Sequence, residues 1–141
     1  MGSEELAKWG WIALGGALGA LCRVWLGVGM LSLTGKTFWG TLVANLLGCF
    51  VMGALKAMVE HHALGSEAMR FFLFGGFVGA FTTFSTFMAD GASLWREERA
   101  LHATLYLGGS VIGGGVCFVL GWVLFSRLFA GGVAGSSNQR I

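Results

Sequence analysis

The residues able to do chemistry in this chain are few, and most stand close together. The densest group is GGFVGAFTTFSTF, residues 75–87, in which Thr82, Thr83, Ser85 and Thr86 interleave with Phe81, Phe84 and Phe87. Four hydroxyls within five residues have no place on a helix that merely faces lipid. Hydroxyl side chains with nearby glycines can support a local break in a helix, because the freed carbonyls and amides find partners. Broken helices at mid-membrane mark ion sites, where freed carbonyls bind cations. Phe84 and Phe87 are three apart and share a helix face. An aromatic stripe alone would be packing; combined with the hydroxyls it points to a site.

Two further residues lie within apolar runs. Arg23 stands about two-thirds of the way along the first run. An arginine at a helix centre costs about 2.5–3.5 kcal/mol, so it either snorkels to the interface or faces protein or water. Asn45, in TLVANLLGCFVMG, either bonds a neighbouring helix or belongs to the site. His61, His62 and His102 have no metal-ligand spacing with a Cys or carboxylate and are read as solvated. No Ser/His/Asp or Cys/His arrangement is evident, and the carboxylates avoid the helix centres, so no enzymatic role is expected. Gly113-Gly114-Gly115 is not a phosphate loop, because it lacks a preceding strand and a Lys-Ser/Thr.

The elements that must position these residues follow from composition. Of 141 residues, 55% are hydrophobic and only 11% charged, against about 25% charged in a soluble domain. The three cysteines, Cys22, Cys49 and Cys117, all lie in apolar runs and form no secreted disulfide framework. A net charge of +2 is no basic footprint, so nucleic acid is not an expected partner. What fits is an all-α integral membrane protein in a lipid bilayer. A crossing takes about 20 apolar residues, and four runs qualify, at 9–31, 38–59, 71–95 and 101–129. Residues 1–130 form one four-helix transmembrane domain, and the Gly/Ser-rich 131–141 is expected to be a flexible C-terminal tail.

Orientation follows Lys and Arg. Lys8, Lys56, Arg70, Arg127 and Arg140 fall on one side; Arg23, Lys36, Arg96 and Arg99 fall on the other. Such near balance leaves two readings: orientation set by other features, or dual topology with antiparallel pairing. Among 25 glycines and no proline, Gly15/Gly19, Gly16/Ala20, Gly75/Gly79 and Gly109/Gly113 form small-xxx-small patterns that would let helices approach closely.

With these strings in view, the chain resembles the Fluc-type bacterial fluoride channels. The resemblance is carried by GGALGALCR at 15–23, GTLVANLLGCFVMG at 40–53 and GFVGAFTTFSTF at 76–87, and continues more weakly through Tyr106 and Ser110. It implies a passive, multi-pass fluoride channel of the bacterial plasma (inner) membrane. It implies a third helix broken near its middle and an antiparallel dual-topology homodimer with two pores. It also implies a structural sodium ion (Na+) at the dimer centre, on the carbonyls of Gly79 and Thr82. The pore amide would be Asn45 and the pore aromatics Phe84 and Phe87. Thr83, Ser85, Tyr106 and Ser110 would line or support the track, with Arg23 at a vestibule. This chain departs from the family pattern at Gly79-Ala80, at Gly114 and at Asp90. Physics agrees: fluoride holds its water tightly, so a pore must replace that shell with uncharged donors and positive ring edges. The rival of similar size is a small multidrug-type transporter, which needs a membrane-embedded Glu in its first helix; none is present here.

Overall fold

The structure is a computed structural model that describes residues 2–97 and 100–136. Helix α1 is Ser3–Thr34 and α2 is Phe38–Glu60. The next stretch comprises α3 (Glu67–Arg70), a π-helix (Phe71–Val78), α4 (Gly79–Phe81) and α5 (Phe84–Arg96); α6 is Ala100–Ser136. Four helices are long and apolar enough to cross a membrane: Ser3–Thr34, Phe38–Glu60, Glu67–Arg96 and Ala100–Ala130.

The ends of these spans differ from the expected ones. Helix α1 begins six residues earlier, with Glu4 and Glu5 in its first turn, where the helix dipole favours carboxylates. It stops at Gly35, whose φ of 68° is left-handed and whose N–H donates to the Leu31 carbonyl at 2.8 Å. Helix α6 reaches Ser136, inside the stretch expected to be tail, since no proline intervenes to stop it. Residues 137–141, with Arg140, and Arg99 of the charge tally lie outside the described residues.

The third span changes geometry twice. Ser66 Oγ accepts the Met69 N–H at 3.2 Å and so starts α3. The π-helix follows, a wider turn that is frequent at functional sites. Helix α4 ends where Thr82 (φ −82°, ψ 156°) and Thr83 (φ −148°, ψ 121°) adopt extended backbone. The hydroxyls account for this interruption. The Val78 carbonyl accepts both the N–H and the hydroxyl of Thr82, at 3.1 and 3.0 Å, which closes α4. Thr83 Oγ1 accepts the Thr86 N–H at 3.3 Å and caps α5.

Glycines set the packing. Helices α2 and α6 form the most extensive pair, and α1 lies along the π-helix. A Cβ on Gly53 would run into the Phe118 carbonyl, and one on Gly121 into the Phe50 carbonyl. Gly15 and Gly19 press in the same way on the Phe72 and Phe77 carbonyls, and Gly76 on that of Ile12. Of the expected small-residue pairs, Gly15/Gly19 is therefore a contact within the chain. Gly16 and Gly109 face open space, and Gly75 and Gly113 meet only the side chains of Ile12 and Leu46. Gly53 and Gly121, each against a backbone carbonyl of the other's helix, and Gly40 against Gly27 join different helices, which spacing along one helix cannot reveal. Two buried clusters flank the interruption: Leu55, Leu64 and Val78 on one side, and Phe87, Leu94, Ala103 and Tyr106 on the other.

Candidate functional site

The interruption at 82–83 removes helical partners from a set of backbone groups. In a continuous helix the Thr83 N–H would seek the Gly79 carbonyl. Here it donates to Asn45 Oδ1 at 2.8 Å. Asn45 Nδ2 in turn donates to the Thr83 carbonyl at 3.0 Å. The side-chain amide of α2 thus pairs with residue 83 on both sides, much as a neighbouring strand would. The Ala80 carbonyl, which would otherwise take the Phe84 N–H, accepts Arg23 Nε–H from α1 at 3.1 Å. Arg23 is half-buried, and its Nε is bound to the third span.

The Gly79 carbonyl is released because the Thr83 N–H has turned to Asn45, and that of Thr82 because the Thr86 N–H has turned to Thr83 Oγ1. Uncharged carbonyl oxygens of this kind suit a hard cation. Gly79 is exposed in the chain, and among the described residues only the Phe74 carbonyl of the preceding π-helix comes within 4 Å of a Cβ placed on it, at 3.3 Å. Two released backbone oxygens are donors of the kind a sodium ion accepts. Among the described residues no group of three or more His, Cys, Asp or Glu could hold a metal through side chains.

A cavity of about 370 Å³ lies beside the interruption, lined among others by Asn45, Thr82, Thr83, Phe84, Phe87 and Ser110. These residues of the predicted track are brought together by α2, the third span and α6. Ser85 and Tyr106 do not line it. Ser85 is exposed, with its hydroxyl 3.4 Å from Thr83 Oγ1, which also donates to Thr86 Oγ1 at 3.0 Å. The Tyr106 hydroxyl points instead at Asp90 Oδ2, 3.3 Å away, and Ser110 donates to the Tyr106 carbonyl. The two aromatics also part company. Phe84 is 74% exposed, whereas Phe87 is 6% exposed and packs on Tyr106 with ring centroids 5.4 Å apart.

A second cavity, of about 270 Å³, opens between α1, α2 and α5. Its polar lining is Arg23, Thr37, Thr41, Thr83, Thr86 and Asp90. Cys49 and Gly114, both on the wall of the first cavity, meet each other: a Cβ on Gly114 would stand 3.2 Å from Cys49 Sγ. Sequence reasoning missed this pair, as well as Trp122 Nε1–H donating to Glu60 Oε2 at 2.7 Å beside the Lys56–Glu60 ion pair at 3.0 Å. His61, read as merely solvated, stacks on Phe129 with centroids 6.3 Å apart. The i,i+4 spacing of Lys56 and Glu60 could have flagged their pair; nothing in the spacing signals Trp122.

Comparison with known proteins gives a consistent picture. A family described as CrcB-like protein, Camphor Resistance (CrcB), matches residues 10–122. A protein of Nitrosococcus oceani is 42% identical over 118 residues, covering 83% of this chain and 94% of that one. One of Solidesulfovibrio magneticus is 43% identical over 128 residues, covering 89% and 94%. One of Chlorobium chlorochromatii is 38% identical over 120 residues, covering 85% and 92%. Each of the three is named fluoride-specific ion channel FluC.

Proposed function

The chain belongs to the CrcB-like family, and from that premise we propose that it is a passive, fluoride-selective channel that lets fluoride leave across the bacterial inner membrane. The observation that carries this reading is the identity of 42–43% with named fluoride channels along nine-tenths of their length. The cavity chemistry supports it. Asn45 has one Nδ2–H left after its bonds to Thr83, whereas the Thr83 and Ser110 hydroxyls on the same wall donate to Thr86 Oγ1 and the Tyr106 carbonyl and would have to rotate to reach an ion. None of these carries a charge that would trap the ion. Phe84 and Phe87, with centroids 5.8 Å apart, line the same space, where positive ring edges would suit an anion. Ser85 extends the hydroxyl cluster, and Tyr106 supports the track through Ser110 and Asp90. The cavity with Arg23 on its wall serves as the vestibule.

The functional unit in this reading is an antiparallel homodimer of dual topology with two pores. The exposure of Phe84 and Gly79 in the single chain supports it, since both would be covered by a second copy. The carbonyls of Gly79 and Thr82 would hold a sodium ion between the copies, where it supplies positive charge beside the interruption. The test is fluoride efflux from liposomes containing purified protein, followed with a fluoride electrode, with chloride efflux as the control. A folded preparation that releases no fluoride, or releases chloride as fast, overturns the reading.

A further inference from the structure

Arg23 is a cation at membrane depth, and its surroundings define what it does. Among the described residues the ion pairs are Lys8–Glu67 and Lys56–Glu60, and neither involves Arg23. Asp90 lines the same cavity without pairing with it. Among the described residues, the one hydrogen bond of Arg23 is donated by Nε, not by the outer nitrogens, to a backbone carbonyl 57 residues away. That carbonyl, of Ala80, is one that the extended backbone at Thr82 and Thr83 deprives of its helical donor. Three residues further on, Asn45 takes both backbone groups of Thr83. The interruption is therefore held from two helices, α1 at residue 80 and α2 at residue 83.

We propose that Arg23 is a positioning residue for conduction. Its working group is the Nε–H, which holds the Ala80 carbonyl and so fixes the residue 82–87 segment against Asn45. The charge of the guanidinium is incidental to conduction. Without that donor, a carbonyl at membrane depth is left unpaired, and the segment shifts to find another. A shift of that segment moves Thr83, Phe84 and Phe87 together. The inference rests on the fluoride-channel reading for its flux readout but not for its structural one.

Three substitutions separate donor from charge. In Arg23→Gln, the amide nitrogen sits the same number of bonds from Cα as Nε, so the donor stays and the charge goes. In Arg23→Lys the charge stays, but the donor moves one bond outward. In Arg23→Met both are lost from a chain of similar length. Efflux of fluoride from liposomes is measured against fluoride concentration for each, with amide hydrogen exchange across residues 80–86.

The expected result is that Arg23→Met and Arg23→Lys slow maximal efflux at least about tenfold, within the scale of a buried carbonyl left unpaired. Arg23→Gln rescues it to within about threefold of the parent, with the half-saturating fluoride concentration unchanged and 80–86 as protected as in the parent. Arg23→Lys conducting normally while Arg23→Gln fails, or Arg23→Gln raising the half-saturating concentration, assigns the role to charge and overturns the proposal. Parental behaviour in all three overturns it too. Should Arg23→Met not fold, the order of Gln and Lys decides alone. Should the parent itself pass no fluoride, the function reading fails, and the exchange order Gln above Lys and Met still decides the proposal.

Discussion

Asn45 shows how one residue type can answer to two descriptions. As a lone amide in an apolar helix it could be an ion donor or an interhelical tie; the structure makes it a tie to Thr83, with one N–H to spare. Asn45→Leu is therefore expected to do two things at once. It ends fluoride efflux, and it lowers thermal stability in detergent by roughly 1–3 kcal/mol, the cost of leaving buried polar groups unpaired. Asn45→Asp keeps an acceptor for the Thr83 N–H but turns a carboxylate toward the Thr83 carbonyl, and should lose efflux as well. A melting curve unchanged in Asn45→Leu would show that the tie carries no weight. The two aromatics should likewise separate. Phe84→Ile, exposed in the single chain, should cost less stability than Phe87→Ile, yet lose efflux. Phe87→Ile, buried against Tyr106, should lose efflux and also destabilise by about 1–3 kcal/mol. If both conduct at the parental rate, the rings are packing. The three-residue spacing made the shared face of Phe84 and Phe87 legible. It held no record of which ring α6 would cover, because that is decided by Tyr106, 19 and 22 residues beyond them in the sequence.

At the scale of elements, four spans could be read from run length and hydropathy, because a bilayer permits little else over such stretches. The hydroxyl-rich segment was legible as unusual for the same reason. Its mechanics were not, because its partners on other helices are the side chain of Asn45, 38 residues away, and that of Arg23, 57 away from Ala80. A backbone carbonyl has no residue-type signature to search for. The π-helix before it was equally hidden, since nothing in FFLFGGFV separates a wide turn from an ordinary one. Glycine gives the sharpest test at this scale. Gly53→Ala should push α2 from α6, because the obstacle is the Phe118 carbonyl, which cannot swing aside as a side chain would. Gly16→Ala, facing open space, should be neutral or stabilise by up to about 1 kcal/mol through helix propensity. Melting temperatures in one detergent check the pair, and an order with Gly53→Ala at or above Gly16→Ala would refute this packing account.

At the scale of the whole molecule, the near-even split of Lys and Arg between the two sides and the exposed Gly79 and Phe84 lead to one expectation. A tag at the carboxyl terminus of a conducting preparation should be cleavable from either side of the membrane. A tag reached from one side only counts against antiparallel pairing. The two cavities have a consequence of their own. Their linings share a single residue, Thr83. For traffic that passes through both, they are resistances in series, and Thr83 is the only component common to the two. Its hydroxyl is engaged in capping α5, so its methyl group is the part that a substitution can remove without uncapping the helix. Thr83→Ser keeps the cap and removes the methyl. Such a change should leave the fold and both chambers intact while altering throughput and the exclusion of larger halides, which paired fluoride and chloride efflux would read directly. The step common to the two chambers thus falls on the same residue that keeps the third span from being a continuous helix.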